Sequence, residues 1–171
     1  MTSPATPPST PPALDARQLR QTLGRFATGV TIVTCVDSAG ARVGLTANSF
    51  NALSLDPPLV LWSLRQVSPS LGAFRAATHF AINVLAESQV ELSRRFASPV
   101  IDKFAEGVWS AGQGGAPVLT GAAAVFECAS VQAQDAGDHV LFIGRVLALA
   151  DIAAPPLLFH GGHYHLLGEI L

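Results

Sequence analysis

The stretch AAVFECASVQAQDAGDHVLFIGRVLALA, Ala123 to Ala150, decides how this chain is read. Two long apolar segments, Ala123–Gln134 and His139–Ala150, flank the polar tetrad Asp135-Ala136-Gly137-Asp138. Asp and Gly supply turn conformations at little steric cost, so the stretch predicts a hairpin of two long strands.

Working back towards the N-terminus, the β-branched run Val30–Val36 predicts a strand, Asp37-Ser38-Ala39-Gly40 a turn and Arg42–Asn51 a second strand. Asp56-Pro57-Pro58 interrupts the pattern before Leu59–Leu64, an apolar run expected as a buried strand. Ser68-Pro69 reads as an N-cap with proline at the first helical position, opening a helix through Ala77. Phe80–Leu85 predicts a short strand, and Ala86–Ala97 returns to helical periodicity. At the start, Leu14, Leu19, Leu23 and Phe26 fall near helical spacing behind Asp15, giving a short opening helix that ends around Ala27–Gly29. Residues Gly107 to Gly121 form a glycine-rich connector, and Leu157–Phe159 and His163–Leu167 are two short extended pieces. Six or more strands with little βαβ alternation predict a mainly β fold, an antiparallel barrel with short helices.

Composition narrows the classes of partner. With 49% hydrophobic and 13% charged residues in 171, the chain has more to bury than one small monomer surface hides, and a two-fold homodimer is expected. A net charge of −2 and no Lys/Arg cluster larger than Arg94-Arg95 exclude nucleic acid as the main partner. Cys35 and Cys128 lie in alternating apolar stretches outside any CxxC or Cys/His grouping, so they read as buried reduced thiols and no metal is expected. Residues 1–13 are rich in Pro, Ser and Thr and are expected to form a disordered tail, followed by a single domain over 14–171. No secretory signal or uninterrupted membrane-length apolar run is seen, which predicts a cytoplasmic protein with no membrane partner.

The familiar nucleotide and hydrolase signatures are absent: there is no GxGxxG after a strand, no Walker-type loop, no GxSxG and no HExxH. Three polar islands within the apolar strands are the candidate chemistry. In Gly44–Phe50, small side chains (Thr46, Ala47, Asn48, Ser49) would let a planar ring approach the backbone while polar groups meet its edge, although an ordinary edge strand has the same composition. Ser63, Ser68 and Ser70 converge on an expected helix start, where hydroxyls and backbone N–H groups suit phosphate, or where Ser68 is simply a cap. Gly137-Asp138-His139 opens an apolar strand, a place that a turn also explains.

Taken in order, Arg20–Thr31, Gly44–Phe50, Ser54–Leu61, Phe80–Leu85, Pro117-Val118-Leu119, Gly137-Asp138-His139, Pro156–Phe159 and Gly162-His163-Tyr164 resemble the flavin reductase-like, FMN-binding split-barrel family. The resemblance runs from about Leu19 to Leu167 and implies a homodimeric antiparallel split barrel that binds FMN or FAD near the subunit interface. It further implies an NAD(P)H:flavin oxidoreductase, the small component that supplies reduced flavin to a separate flavin-dependent monooxygenase. By position, Thr46, Ala47, Asn48 and Ser49 would lie along the isoalloxazine ring, and Ser63, Leu64, Ser68 and Ser70 at its margin, ribityl chain or phosphate. Ser93, Arg94 and Phe96 would lie towards the phosphate end, Gly137, Asp138 and His139 at the nicotinamide nucleotide, and Tyr164 would close the pocket. NADH is the expected donor and NADPH the open alternative, since Arg65, Arg75 and Arg145 have no place assigned by sequence that would make a 2′-phosphate site. Two other readings stand beside this one. A flavin-binding carrier subunit would hold the ring without using NAD(P)H. An oxidase of the pyridoxamine-phosphate type would want a cationic anchor cluster, and the chain has only ten Lys and Arg.

Overall fold

The computed structural model describes residues 14–170, so the expected Pro-rich tail over 1–13 lies outside the described residues. The chain opens with helix α1 (Ala16–Leu23), whose N-cap Asp15 accepts a hydrogen bond from the Arg17 N–H at 2.9 Å. Strands β1 (Thr28–Gly29), β2 (Thr31–Val36), β3 (Arg42–Ala47), β4 (Asn51–Leu55) and β5 (Pro58–Arg65) follow. After α2 (Leu71–Ala76) come β6 (His79–Val84), α3 (Val90–Ala97), β7 (Trp109–Ala111) and β8 (Pro117–Leu119). The long strands β9 (Ala124–Ala136) and β10 (His139–Asp151) and the short hairpin β11 (Leu158–His160) and β12 (His163–His165) complete it.

Seven strands form one sheet in the order β3-β2-β6-β9-β10-β5-β4, with every neighbouring pair antiparallel. Its two edge strands, β3 and β4, are consecutive in the chain, so the sheet curls back towards itself. Ser49 bridges that split, its Oγ accepting from the Ser63 N–H at 3.0 Å and donating to the Ser63 carbonyl at 2.9 Å. The β9–β10 hairpin expected from the sequence is present over 13 residues a side, with Gly137 at φ +62° in its turn. Register shifts at Ile143/Gly144 and Val146/Ala148 bend it, as bulges do.

The alternation of side chains along β2 feeds two cores. Val33 and Cys35 face an interior shared with Trp62, Phe74, Phe80, Ile82, Cys128, Val140 and Phe142. There Trp62 stacks on Phe142 at 4.7 Å between ring centroids, and α2 contributes Phe74 edge-on to Trp62. Val30 and Ile32 face outward to a second cluster with Leu85, Phe96, Leu119, Val125 and Leu157, covered by α3. Between them the fully buried Asn83 donates to the Ile32 carbonyl at 3.0 Å and accepts from the Leu119 N–H at 2.8 Å, holding β8 against the sheet.

Several boundaries differ from the sequence expectations. The strand expected over Arg42–Asn51 ends at Ala47, and β4 begins only at Asn51 after a bend. Ser68 and Pro69 lie in the turn before α2, whose N-cap position is Ser70; the Ser68 Oγ accepts instead from the Ser70 N–H at 3.3 Å. The first turn of the segment after β6 is a 3-10 turn, Glu87–Gln89, and the α-helix proper starts at Val90. The glycine-rich connector contains the short antiparallel pair β7–β8. No helix among the described residues is long and apolar enough to cross a membrane.

Candidate functional site

A cleft of about 1070 Å³ runs along the free side of β3. One wall is β3 with the bend after it, Arg42 to Ser49; opposite are the end of β5, the turn Val67–Ser70, and the segment Phe96 to Phe104. His139, the first residue of β10, completes the β5 end. As an edge strand, β3 turns alternate backbone N–H and C=O groups away from β2, so the cleft is faced by main-chain donors and acceptors.

Two local devices shape this wall. Gly44 allows α3 to approach, because a Cβ there would stand 2.7 Å from Phe96 Cε1. The Thr46 hydroxyl donates to the Ser93 carbonyl of α3 at 2.6 Å. The Ser49 hydroxyl is likewise committed to the Ser63 backbone. The Thr46 and Ser49 hydroxyls thus bind protein backbone, and the longer polar side chains that this wall brings to the cleft are Arg42 and Asn48.

Of the residues singled out from sequence, Thr46, Ala47, Asn48, Ser49, Ser63, Leu64, Ser68, Ser70, Phe96 and His139 line this one cleft. The structure does not bring the others to it. Ser93 is fully buried, its Oγ sharing a hydrogen bond with the Tyr164 hydroxyl at 2.9 Å. Arg94 is exposed, paired with Glu91 at 2.5 Å, and lies 5.7 Å from the centre of the Tyr164 ring. Gly137 and Asp138 form the hairpin turn, with Asp138 Oδ1 2.7 Å from His139 Nδ1. That contact, with the charge of the ring when protonated and of Arg65, holds the Asp138 carboxyl below the usual carboxylate range.

Sequence reasoning missed Arg42 and Lys103. Both line the cleft, and neither makes a salt bridge among the described residues. The Arg42 guanidinium lies 4.8 Å from the centre of the Phe104 ring, and Lys103 Nζ donates to the Phe96 carbonyl at 2.8 Å. Partial burial lowers the Lys103 ammonium from its ordinary value. The place of Lys103 in the cleft depends on Arg95, which donates to the carbonyls of Asp102 and Lys103 and pairs with Glu106 at 3.0 Å, whereas Arg42 is placed by β3 itself. No local signal around Lys103 announces that tertiary clamp. Cys35 and Cys128 lie apart from the cleft as free, buried thiols, pushed up to about 12 by desolvation and, secondarily, by Asp37 and Glu127.

The family model for the flavin reductase like domain matches residues 23–168. Over 150 residues the chain is 47% identical to a probable flavin reductase of Rhizobium meliloti, covering 88% of this chain and 48% of that protein. It is 45% identical over 150 residues to the FMN reductase (NADH) SmoA of Agrobacterium fabrum, covering 88% of this chain and 85% of that one. The NADH:FAD oxidoreductase of Streptomyces globisporus, solved with NAD and FAD fragments, superposes with a TM-score of 0.85 at 38% identity, covering 90% of this chain and 93% of that one. The chain spans 48%, 65% and 48% of the lengths of three curated relatives it matches, and so about half of two of them.

Proposed function

The chain belongs to the flavin reductase-like family, and from that membership we propose that it is an NAD(P)H:flavin oxidoreductase that reduces FMN or FAD with NADH. The reduced flavin is passed to a separate flavin-dependent monooxygenase. One observation carries the reading: a single cleft joins the end of edge strand β3 and the bend after it, Thr46 to Ser49, to His139, some ninety residues away in the sequence. Similarity supports the same chemistry, since one relative is named as an NADH-dependent FMN reductase and another as the reductase subunit HsaB of a flavin-dependent monooxygenase in Rhodococcus jostii.

The residues present fit a flavin. The unpaired edge of β3 suits the polar rim of the ring, and the exposed Val67 and Ile101 of the lining give apolar surface for its faces. Arg42 and Lys103, which line the same cleft and make no salt bridge among the described residues, suit a phosphate or pyrophosphate. When bound, flavin supplies a hydride acceptor, and the nicotinamide supplies the hydride. The protein's part is to hold the two rings in register, to exclude water and to aim N–H dipoles at the side of the flavin where negative charge collects. No side-chain acid or base is required for that. His139, half exposed at the cleft and oriented by Asp138, serves to bind and orient the dinucleotide.

Loss of absorbance near 340 nm, followed for NADH and NADPH each with FMN and with FAD, tests the reading and its cofactor preferences together. Flavin-dependent loss with NADH supports it. Flavin binding without turnover would leave the carrier reading, and a rate of NADH oxidation unchanged by His139→Ala would remove the role given to that residue.

A further inference from the structure

We propose that Tyr164 is a positioning residue for the cleft: it sets the edge strand β3 from the far side of α3, acting through Ser93 and Thr46. The inference rests on the flavin reading of that cleft.

Tyr164 lies on β12, opposite Phe159 of β11, and is not among the residues lining the cleft. Its ring is held edge-on by Phe159 at 5.6 Å between centroids and covered by the Arg94 guanidinium. Its hydroxyl and the Ser93 Oγ share the 2.9 Å hydrogen bond. Ser93 is fully buried in the middle of α3, where a serine hydroxyl needs a partner, and Tyr164 is the partner it has. The carbonyl of the same residue accepts from Thr46 Oγ1 at 2.6 Å. One helical residue is therefore gripped on one side by β12 and on the other by the wall of the cleft.

The second contact between α3 and β3 is purely steric: Phe96 occupies the space that a Cβ on Gly44 would need. Phe96 can slide along a glycine, whereas the Thr46–Ser93 hydrogen bond fixes the strand along its length. Ser93 is in turn fixed by Tyr164. Loss of the phenolic hydroxyl leaves Ser93 Oγ buried without its partner, so α3 relaxes and the main-chain donors of β3 lose their register against a bound ring. Tyr164 acts on flavin affinity without touching flavin.

The test compares FMN dissociation constants, by quenching of flavin fluorescence, with steady-state kinetics for the wild type, Tyr164→Phe, Thr46→Val and the double variant. Tyr164→Phe is expected to weaken FMN about fivefold, the equivalent of one net hydrogen bond. KM for flavin rises in step, while kcat at saturating flavin stays within about twofold. In the double variant the two effects do not multiply, because both substitutions break the same chain of contacts. Ser93→Ala breaks the same bond and replaces Tyr164→Phe if the latter fails to fold. Unchanged FMN affinity in the Tyr164 or Ser93 variant, or effects that multiply, would overturn the proposal. A wild type that binds neither FMN nor FAD overturns the flavin reading together with it, and one that binds FAD alone moves the same comparison to FAD. A wild type that binds FMN but does not oxidise NADH overturns only the reductase activity, and the comparison of affinities still decides the role of Tyr164.

Discussion

Asn83 and His139 are both polar residues within apolar strands, β6 and β10, and they do opposite things. Asn83 is fully buried and satisfies the backbone of β2 and β8. Asn83→Leu should cost about 2 kcal/mol in urea unfolding, because the Leu119 N–H is left buried and unpaired. His139 faces the cleft, and His139→Ala should lower kcat/KM for NADH roughly tenfold, the worth of one good hydrogen bond, with a smaller change in KM for flavin. The thiols make a prediction about pH. Both are raised from 9.0 to about 12, so the folded state favours the neutral thiol, and that contribution is intact below pH 9. Stability should fall as pH rises from 9 towards 12, read as a falling urea midpoint, and Cys35→Ala/Cys128→Ala should flatten that slope. At this scale the sequence was legible where a side chain's neighbours are its own strand, as with His139 at a turn. It set the Thr46 and Ser49 hydroxyls at a ligand's polar edge and gave no sign of the backbone, 47 and 14 residues away, to which they donate.

At the scale of elements, the β9–β10 hairpin was readable because long apolar stretches and an Asp/Gly turn agree with each other. The bend between β3 and β4 was not, since Asn48-Ser49-Phe50 carries neither Pro nor Gly to mark it. Strands of three residues such as β7 and β8 are too short to show a period, and their glycine-rich surroundings read as loop. Gly144 shows what the bulged hairpin demands. A Cβ there would meet Phe80 Cζ at 2.4 Å and Cys128 Cβ at 2.9 Å, so both an aromatic ring and the facing strand stand in its way. Gly144→Ala is expected to cost about 1–3 kcal/mol of overpacking strain, measured by urea unfolding, whereas Gly29→Ala, with open space around it, is expected to show no such strain.

For the whole molecule, the apolar face of α1 was legible but its direction was not. Leu23 and Phe26 are 65% and 75% exposed, and Leu55 of β4 and Leu149 of β10 are 95% and 70% exposed. Large side chains left open on this scale support a second copy of the chain as their cover. If a second copy covers them, Leu149→Glu should shift sedimentation of the protein towards the monomer, and a wild type that sediments as a monomer would contradict the homodimer expected from the composition. The more direct test concerns the cleft itself: anaerobic mixing of the protein with FMN and NADH, with absorbance followed near 340 nm and near 450 nm together. The account predicts that both bands decline in step, one reduced flavin for each NADH oxidised, at a rate that depends on the protein. Flavin that binds yet stays oxidised, with NADH unconsumed, would contradict it.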